Sequence, residues 1–264
     1  LLTKVQGMQR ASQAGRVVIL LTGSGGHKGH RYAIARVKPY QAQRANSRRP
    51  KNWQGLRALL EAGVFGEVII DYDREADDRF GQFGHARSEH TVIGTQDKDM
   101  RMVPGYHLDW ADNRMFYLAP GVYDAVFNDK QFGLKWFWLQ MLQGDTADHI
   151  PGLPKYVSGG KAKLIGEKTA EEKLSSTTTS REAAEVVYLL YESYYGERWL
   201  VEMMEQAVLL WMRHTPLANW FDALTDGGPL HVFETEGEYA SAYDEIAQRV
   251  KEASDLNALS AQSQ

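Results

Sequence analysis

The chain has 264 residues, 43% of them hydrophobic and 24% charged, with a formal net charge of −4. This is the composition of a soluble globular protein, large enough for one sizeable domain or two small ones. No apolar run approaches the roughly 18 residues a membrane span requires. The absence of cysteine excludes disulfides and thiolate metal sites, and fits a reducing compartment.

The charge is unevenly placed. Residues 1–60 hold 12 Lys and Arg and no Asp or Glu, whereas residues 61–264 hold 18 basic and all 34 acidic residues. A basic segment beside an acidic body suits a phosphate-gripping arm next to a metal-binding centre. A disordered basic arm with no specific ligand is the plainer alternative. Residue 1 is Leu rather than Met and no secretory signal pattern is present. Both features predict an N-terminally truncated fragment without export.

Taken in order, Lys4 to Ala14 is polar and helical in pattern. Val17 to Thr22 is an apolar, β-branched run that predicts a buried strand, broken by Gly23-Ser24-Gly25-Gly26. The Walker spacing is absent after it. From His27 to Lys51, Lys and Arg alternate with Tyr32 and Tyr40, and Trp53 follows. Cations interleaved with aromatic rings suit single-stranded nucleic acid, through phosphate pairing and base stacking. Trp53 to Ala62 predicts a helix.

Glu67 to Asp71 predicts the second strand. Glu75-Ala76-Asp77-Asp78 then opens a helix that runs to about Ser88, with Glu75 and Asp78 on one face. The helix N-terminus helps hold this charge but leaves the mutual repulsion of three anions. Taken alone, an acidic first helical turn facing solvent is the commoner explanation. Thr91 to Thr95 predicts a third strand, which runs into Gln96-Asp97-Lys98-Asp99. Strands alternating with helices predict an α/β fold with a mainly parallel central sheet and flanking helices, whose ligands gather at the carboxyl ends of strands.

Phe132 to Gln143 predicts a helix whose Trp136, Phe137, Trp138 and Leu139 form core rather than a stacking platform. Gly144-Asp145-Thr146-Ala147-Asp148 places two more acids at the opening of a helix, before the turn Ile150 to Pro154. Backbone N–H groups at such a turn can hold a DNA phosphate without reading sequence. Beyond Ser180 two or three helices are predicted, with a polar tail fraying after Ser254. The domain division predicted is 1–125 for the α/β core, with a basic segment at 24–52, and 126–264 for a helical region.

Seven acids in three separated segments therefore sit at turns or element starts. Oxygen donors without His or Cys select Mg²⁺ or Mn²⁺. Two such ions can activate water and stabilise the leaving oxygen of a phosphodiester.

Glu75-Ala76-Asp77-Asp78, Gln96-Asp97-Lys98-Asp99, Gly144-Asp145-Thr146-Ala147-Asp148-His149-Ile150-Pro151-Gly152 and Gly166-Glu167-Lys168-Thr169-Ala170 together resemble the successive motifs of the flap endonuclease and 5′→3′ exonuclease family, the bacteriophage enzymes above all. The resemblance covers roughly residues 16–175. It implies a PIN-like nuclease core, a helical arch through which a 5′ strand passes, and a helix–three-turn–helix at 144–175 that grips duplex DNA and binds K⁺. It implies hydrolysis of phosphodiester bonds in 5′ flaps and RNA primers during replication, by a monomer in the bacterial or phage-infected cytoplasm. The implied partners are DNA with a 5′ single-stranded end or flap and an RNA–DNA hybrid.

By position, the resemblance makes Glu75, Asp77, Asp78, Asp97 and Asp99 catalytic metal ligands for two Mg²⁺ or Mn²⁺ ions. Asp145 and Asp148 would complete the second metal. Arg44 would be catalytic, and Arg31, Lys38, Tyr40, Arg44, Gly152, Gly166, Lys168 and Thr169 would contact DNA. Departures from the family pattern are visible too. Gln41 stands where the family has an arch lysine, leaving Lys38 or Arg44 to supply that charge. Gly23 stands where a further acid often follows the strand, and Lys155 to Leu164 is an insertion. The strand carrying the family's first metal-binding Asp would lie upstream of residue 1. Gln41 and the missing first acid support an alternative, a catalytically impaired structure-specific DNA-binding protein. A PIN-type ribonuclease is a third reading, against which the hairpin at 145–170 speaks.

Overall fold

The computed structural model describes residues 2–44, 47–231 and 238–262. Residues 45–46 of the basic segment 24–52, and 263–264 of the tail, lie outside the described residues. Numbered along the chain, the helices are α1 (Leu2–Ser12), α2 (Arg31–Ile34), α3 (Trp53–Glu61), α4 (Ala76–Arg87), α5 (Leu134–Gln143), α6 (Glu167–Lys173), α7 (Ser180–Tyr195), α8 (Trp199–Leu210) and α9 (Glu238–Gln262). The strands are β1 (Val18–Thr22), β2 (Glu67–Asp71), β3 (Val92–Ile93), β4 (Gly105–Leu108), β5 (Met115–Leu118), β6 (Ala125–Phe127), β7 (Lys130–Phe132), β8 (Lys155–Ser158) and β9 (Lys161–Leu164). Among the described residues no helix is long and apolar enough to cross a membrane.

Two units divide the chain. The first comprises 1–29, 44–133 and 212–219; the second comprises 30–43, 134–211 and 220–264. The polypeptide thus passes from one to the other several times.

In the first unit, β1 and β2 pair in parallel, Val18 opposite Glu67 through Thr22 opposite Asp71. Their β-branched and aliphatic side chains suit a pleated, covered surface. β3 pairs in parallel with β4, which pairs antiparallel with β5; β6 and β7 form an antiparallel hairpin. The described strands therefore form small two- and three-stranded sheets, not one mainly parallel sheet. The third strand is also shorter than Thr91 to Thr95, because Gly94 to Asp97 leaves the ladder before a 3₁₀ turn at Lys98–Met102.

The β4 residue His107 is buried, and its Nε2 lies 2.8 Å from the carbonyl of Val103, to which Nε2–H donates. Burial lowers its pKa to about 4 from an ordinary 6.5. The folded value lies below the unfolded one, so this group's stabilisation is full above about pH 6.5 and is lost as pH falls through about 4. The whole effect is about 3 kcal/mol. Urea unfolding at pH 7 and pH 4.5 should show that loss, and His107→Gln should reduce the difference.

The second unit is mainly helical. In α5, Phe137, Trp138, Met141 and Leu142 are fully buried, and Phe137 meets Trp211 edge-to-face at 5.7 Å. This helix starts at Leu134, two residues later than its apolar pattern predicts, because Phe132 ends β7 and Gly133 turns with φ 83°. The insertion Lys155 to Leu164 is the hairpin β8–β9. Gly159 and Gly160, at φ 58° and 72°, supply the left-handed pair that a tight hairpin turn requires. The tail does not fray after Ser254; α9 continues to Gln262.

Candidate metal centre and nucleic-acid interface

The acidic site of the first unit is built on the start of α4. Glu75 is the N-cap and forms a reciprocal capping box with Asp78, whose Oδ2 accepts the N–H of Glu75 at 3.2 Å. Thr22, at the end of β1, accepts the N–H of Ala76 through Oγ1 at 2.9 Å. The strand end thereby fixes where the helix begins. Asp78 is fully buried, and its Oδ1 also accepts the N–H of Arg213 at 3.3 Å. It is therefore the structural acid of the group. Glu75 is buried and Asp77 half-buried.

The second acidic turn approaches the same place. Asp97 is exposed and caps the 3₁₀ turn, its Oδ1 accepting the N–H of Asp99 at 3.1 Å; Asp99 is buried. Asp77 reveals the convergence. Withdrawal from water, then the charges of Asp97, Glu75, Asp78 and Asp99 in that order, hold its carboxyl well above the usual range. Acids some twenty residues apart can repel this carboxyl only because the fold brings them into its neighbourhood.

Two lysines lie against this cluster, and sequence reasoning passed over both. Lys28 Nζ is 3.4 Å from Glu75 Oε1, and Lys98 Nζ is 3.1 Å from Asp99 Oδ1. Lys98 was signalled by its position between two acids; nothing local signalled Lys28. Asp71, at the end of β2, is occupied structurally, with Arg79 Nε donating to Oδ2 at 3.1 Å. The donor set left at the centre is all oxygen, crowded and anionic. Such a set fits a hard divalent cation, which would relieve the repulsion that Asp77 feels.

In the second unit Asp145 and Asp148 do not open a helix. They lie on a tight loop closed by mutual backbone hydrogen bonds between Asp145 and Ile150, at 2.7 and 2.8 Å. The loop closes because Gly144 and Gly152 take φ of 73° and 61° and pass so close that a Cβ on Gly152 would stand 2.4 Å from the nitrogen of Gly144. Asp145 is buried, and its Oδ1 accepts the N–H of Ala147 at 2.8 Å.

The expected DNA contacts divide by exposure. Lys38, Arg44, Gly166 and Lys168 are exposed, and Thr169 is half-buried. Arg31 is only 1% exposed, and its guanidinium donates to the carbonyl of Trp211 at 3.3 Å. It is a core residue and not a phosphate contact. Gly152 is buried with its N–H donated to Gln206 Oε1 at 3.0 Å, so that N–H is not offered to a phosphate. Tyr40 is buried as well, edge-on to Tyr32 at 5.5 Å.

No protein-family model and no curated protein matches the chain by sequence. Solved structures do match it. A bacteriophage T5 5′-exonuclease with bound divalent metal ions (zinc) aligns at TM-score 0.51 and 13% identity, covering 95% of this chain and 88% of that one. The T5 D15 protein, co-crystallised with metal ions, aligns at TM-score 0.51 and 16% identity, covering 95% and 89%. The chain has the fold of the phage flap endonucleases. At these identities the likeness to the phage flap endonucleases is one of architecture, and it extends across both units.

Proposed function

We propose that this protein is a divalent-metal-dependent 5′ nuclease that hydrolyses phosphodiester bonds in DNA bearing a 5′ single-stranded end or flap, and in RNA–DNA hybrid, during phage or bacterial replication in the cytoplasm. The observation that carries the proposal is a pair of ordered acidic turns in one unit, Glu75 to Asp78 capping α4 and Asp97 with Asp99 on the 3₁₀ turn, whose charges and whose burial together push the Asp77 carboxyl up. Glu75, Asp77, Asp97 and Asp99 would hold the metal, with Asp78 behind them as cap and charge. Asp145 and Asp148 are proposed as further carboxylate ligands on the strength of the motif resemblance. Bound there, two Mg²⁺ or Mn²⁺ ions would supply the positive charge that activates water and stabilises the leaving oxygen.

The chain's own residues would position the substrate. Lys38 and Arg44 are exposed cations that can pair with strand phosphates. Lys168 and Thr169, at the start of α6, would grip the duplex in a helix–three-turn–helix, with K⁺ as its companion ion. Within a PIN-like core, the parallel pair β1 and β2 delivers Thr22 and the acidic turn to one edge. The working form is a monomer.

The direct test is a 5′-labelled flap incubated with Mg²⁺ and with EDTA. Metal-dependent release supports the nuclease. Tight binding without release in either condition favours the catalytically impaired DNA-binding protein, a reading prompted by Gln41 in place of a cation. Salt dependence checks the interface. Each phosphate contact contributes a slope of about −0.9 in log affinity against log salt. Lys38→Ala with Arg44→Ala should therefore flatten the slope by about 2 in a fluorescence-anisotropy titration. An unchanged slope would remove these two residues from the interface.

A further inference from the structure

Segment 39–43 is bound to the acidic loop 146–149 within the second unit by an unusual density of hydrogen bonds. Tyr40 OH donates to Asp148 Oδ2 at 2.8 Å, and Gln41 Nε2 donates to Asp148 Oδ1 at 2.9 Å. Gln41 also donates its backbone N–H to the carbonyl of Asp148 at 2.9 Å. Gln43 Nε2 donates to the carbonyls of Thr146 and Ala147, at 3.0 and 2.6 Å. His149 Nδ1 lies 2.8 Å from the carbonyl of Pro39.

Two features show that this contact is built. Gln41 sits at φ 53°, a left-handed conformation that costs a non-glycine residue about 1 kcal/mol and persists only when its surroundings impose it. That conformation accompanies the double grip, in which both the amide side chain and the main-chain N–H of Gln41 reach residue 148. Tyr40 and Gln41 are also buried, at 3% and 7% exposure. A residue meant to contact a passing phosphate would have its donors turned to solvent.

We infer that Tyr40 and Gln41 are positioning residues for Asp148, a latch that fixes its carboxylate and ties segment 39–43 to the acidic loop, and that Gln41 is not a phosphate contact. Both donors are neutral, so they orient the carboxylate without themselves adding a charge to it. The inference deepens the nuclease reading, and rests on it only for its kinetic readout.

The test uses the full chain and three variants. Gln41→Met keeps the length and removes the side-chain donors; Asp148→Ala removes both acceptors; Gln41→Lys keeps a donor. Amide hydrogen exchange over 40–43 and 146–149 should speed up about tenfold or more in Gln41→Met and Asp148→Ala, and stay near wild type in Gln41→Lys. The double variant Gln41→Met with Asp148→Ala should exchange no faster than Asp148→Ala alone. On the flap substrate, Gln41→Met should lower kcat about tenfold with KM unchanged, and Gln41→Lys should retain most of it. Unchanged exchange in both Gln41→Met and Asp148→Ala overturns the latch. So does a rise in KM without loss of kcat in Gln41→Met, which marks a substrate contact. If no variant and no wild type cleaves DNA while the exchange pattern holds, the nuclease reading fails and the latch stands.

Discussion

Asp97→Ala is expected to abolish metal-dependent flap cleavage, by at least about 100-fold, which is the upper end of what loss of an outer partner alone costs a metal site. Asp97 is exposed, so its removal leaves no cavity. It does cap the 3₁₀ turn through Asp99 N–H at 3.1 Å. An alanine there therefore costs about 1 kcal/mol of local stability, too little to unfold a domain. Asp97→Asn separates the two roles, since its side-chain oxygen keeps the cap and its charge is gone. Cleavage should fall in both variants while only the alanine lowers the thermal midpoint. After burial, the charge of Asp97 does most to hold the Asp77 carboxyl up. Without it the Asp77 carboxyl should move back toward its usual range, which an NMR titration of that carboxyl reads directly. Full cleavage by Asp97→Asn at neutral pH would disprove the metal centre as described.

The largest effect on stability is expected at the opposite kind of charge, in the second unit. Glu205 on α8 is completely buried, and its Oε1 accepts the N–H groups of Arg36 and Val37, each at 2.9 Å. Arg249 on α9 donates to its Oε2 at 2.6 Å, to the carbonyl of Ile34 at 2.8 Å and to Glu245 at 2.7 Å. Arg249→Met leaves the glutamate buried without its cation, a loss of about 3–5 kcal/mol. The denaturant midpoint should fall by a corresponding amount, with the slope unchanged. Burial already raises the Glu205 carboxyl above its usual range, against the pull of the two N–H groups and Arg249. Removing Arg249 pushes it further up. A raised acid is least harmful when protonated, so the deficit of Arg249→Met should shrink as pH falls. Adding Glu205→Gln should restore part of the lost stability at pH 7. Equal stability of Arg249→Met and wild type would mean that this pair is not formed in solution.

Much of the local structure could be read from the sequence because its causes are local. Val68-Ile69-Ile70 makes a strand at Glu67–Asp71 through β-branching, and Glu75 with Asp78 starts a helix by the reciprocal spacing of a capping box. Trp136 to Leu142 forms core because an all-round apolar helix has no face left for water. The acidic segments were likewise visible as clustered carboxylates, although an acidic first helical turn is common without a cation.

What tertiary structure alone decided is which polar groups remain available to do chemistry. Arg31 looked like a phosphate contact until the carbonyl of Trp211, 180 positions away in sequence, took its donors. Gly152 looked like a phosphate cradle until Gln206 claimed its N–H. Gln41 looked like a missing lysine, yet its side-chain amide donates to Asp148 within the same unit. The physical reason is common to all three. A polar group withdrawn from water must find a partner, and that partner comes from distant segments whose meeting no local periodicity encodes. Residue type and spacing fixed the elements and the chemistry on offer, and long-range hydrogen bonding assigned that chemistry to core, latch or site.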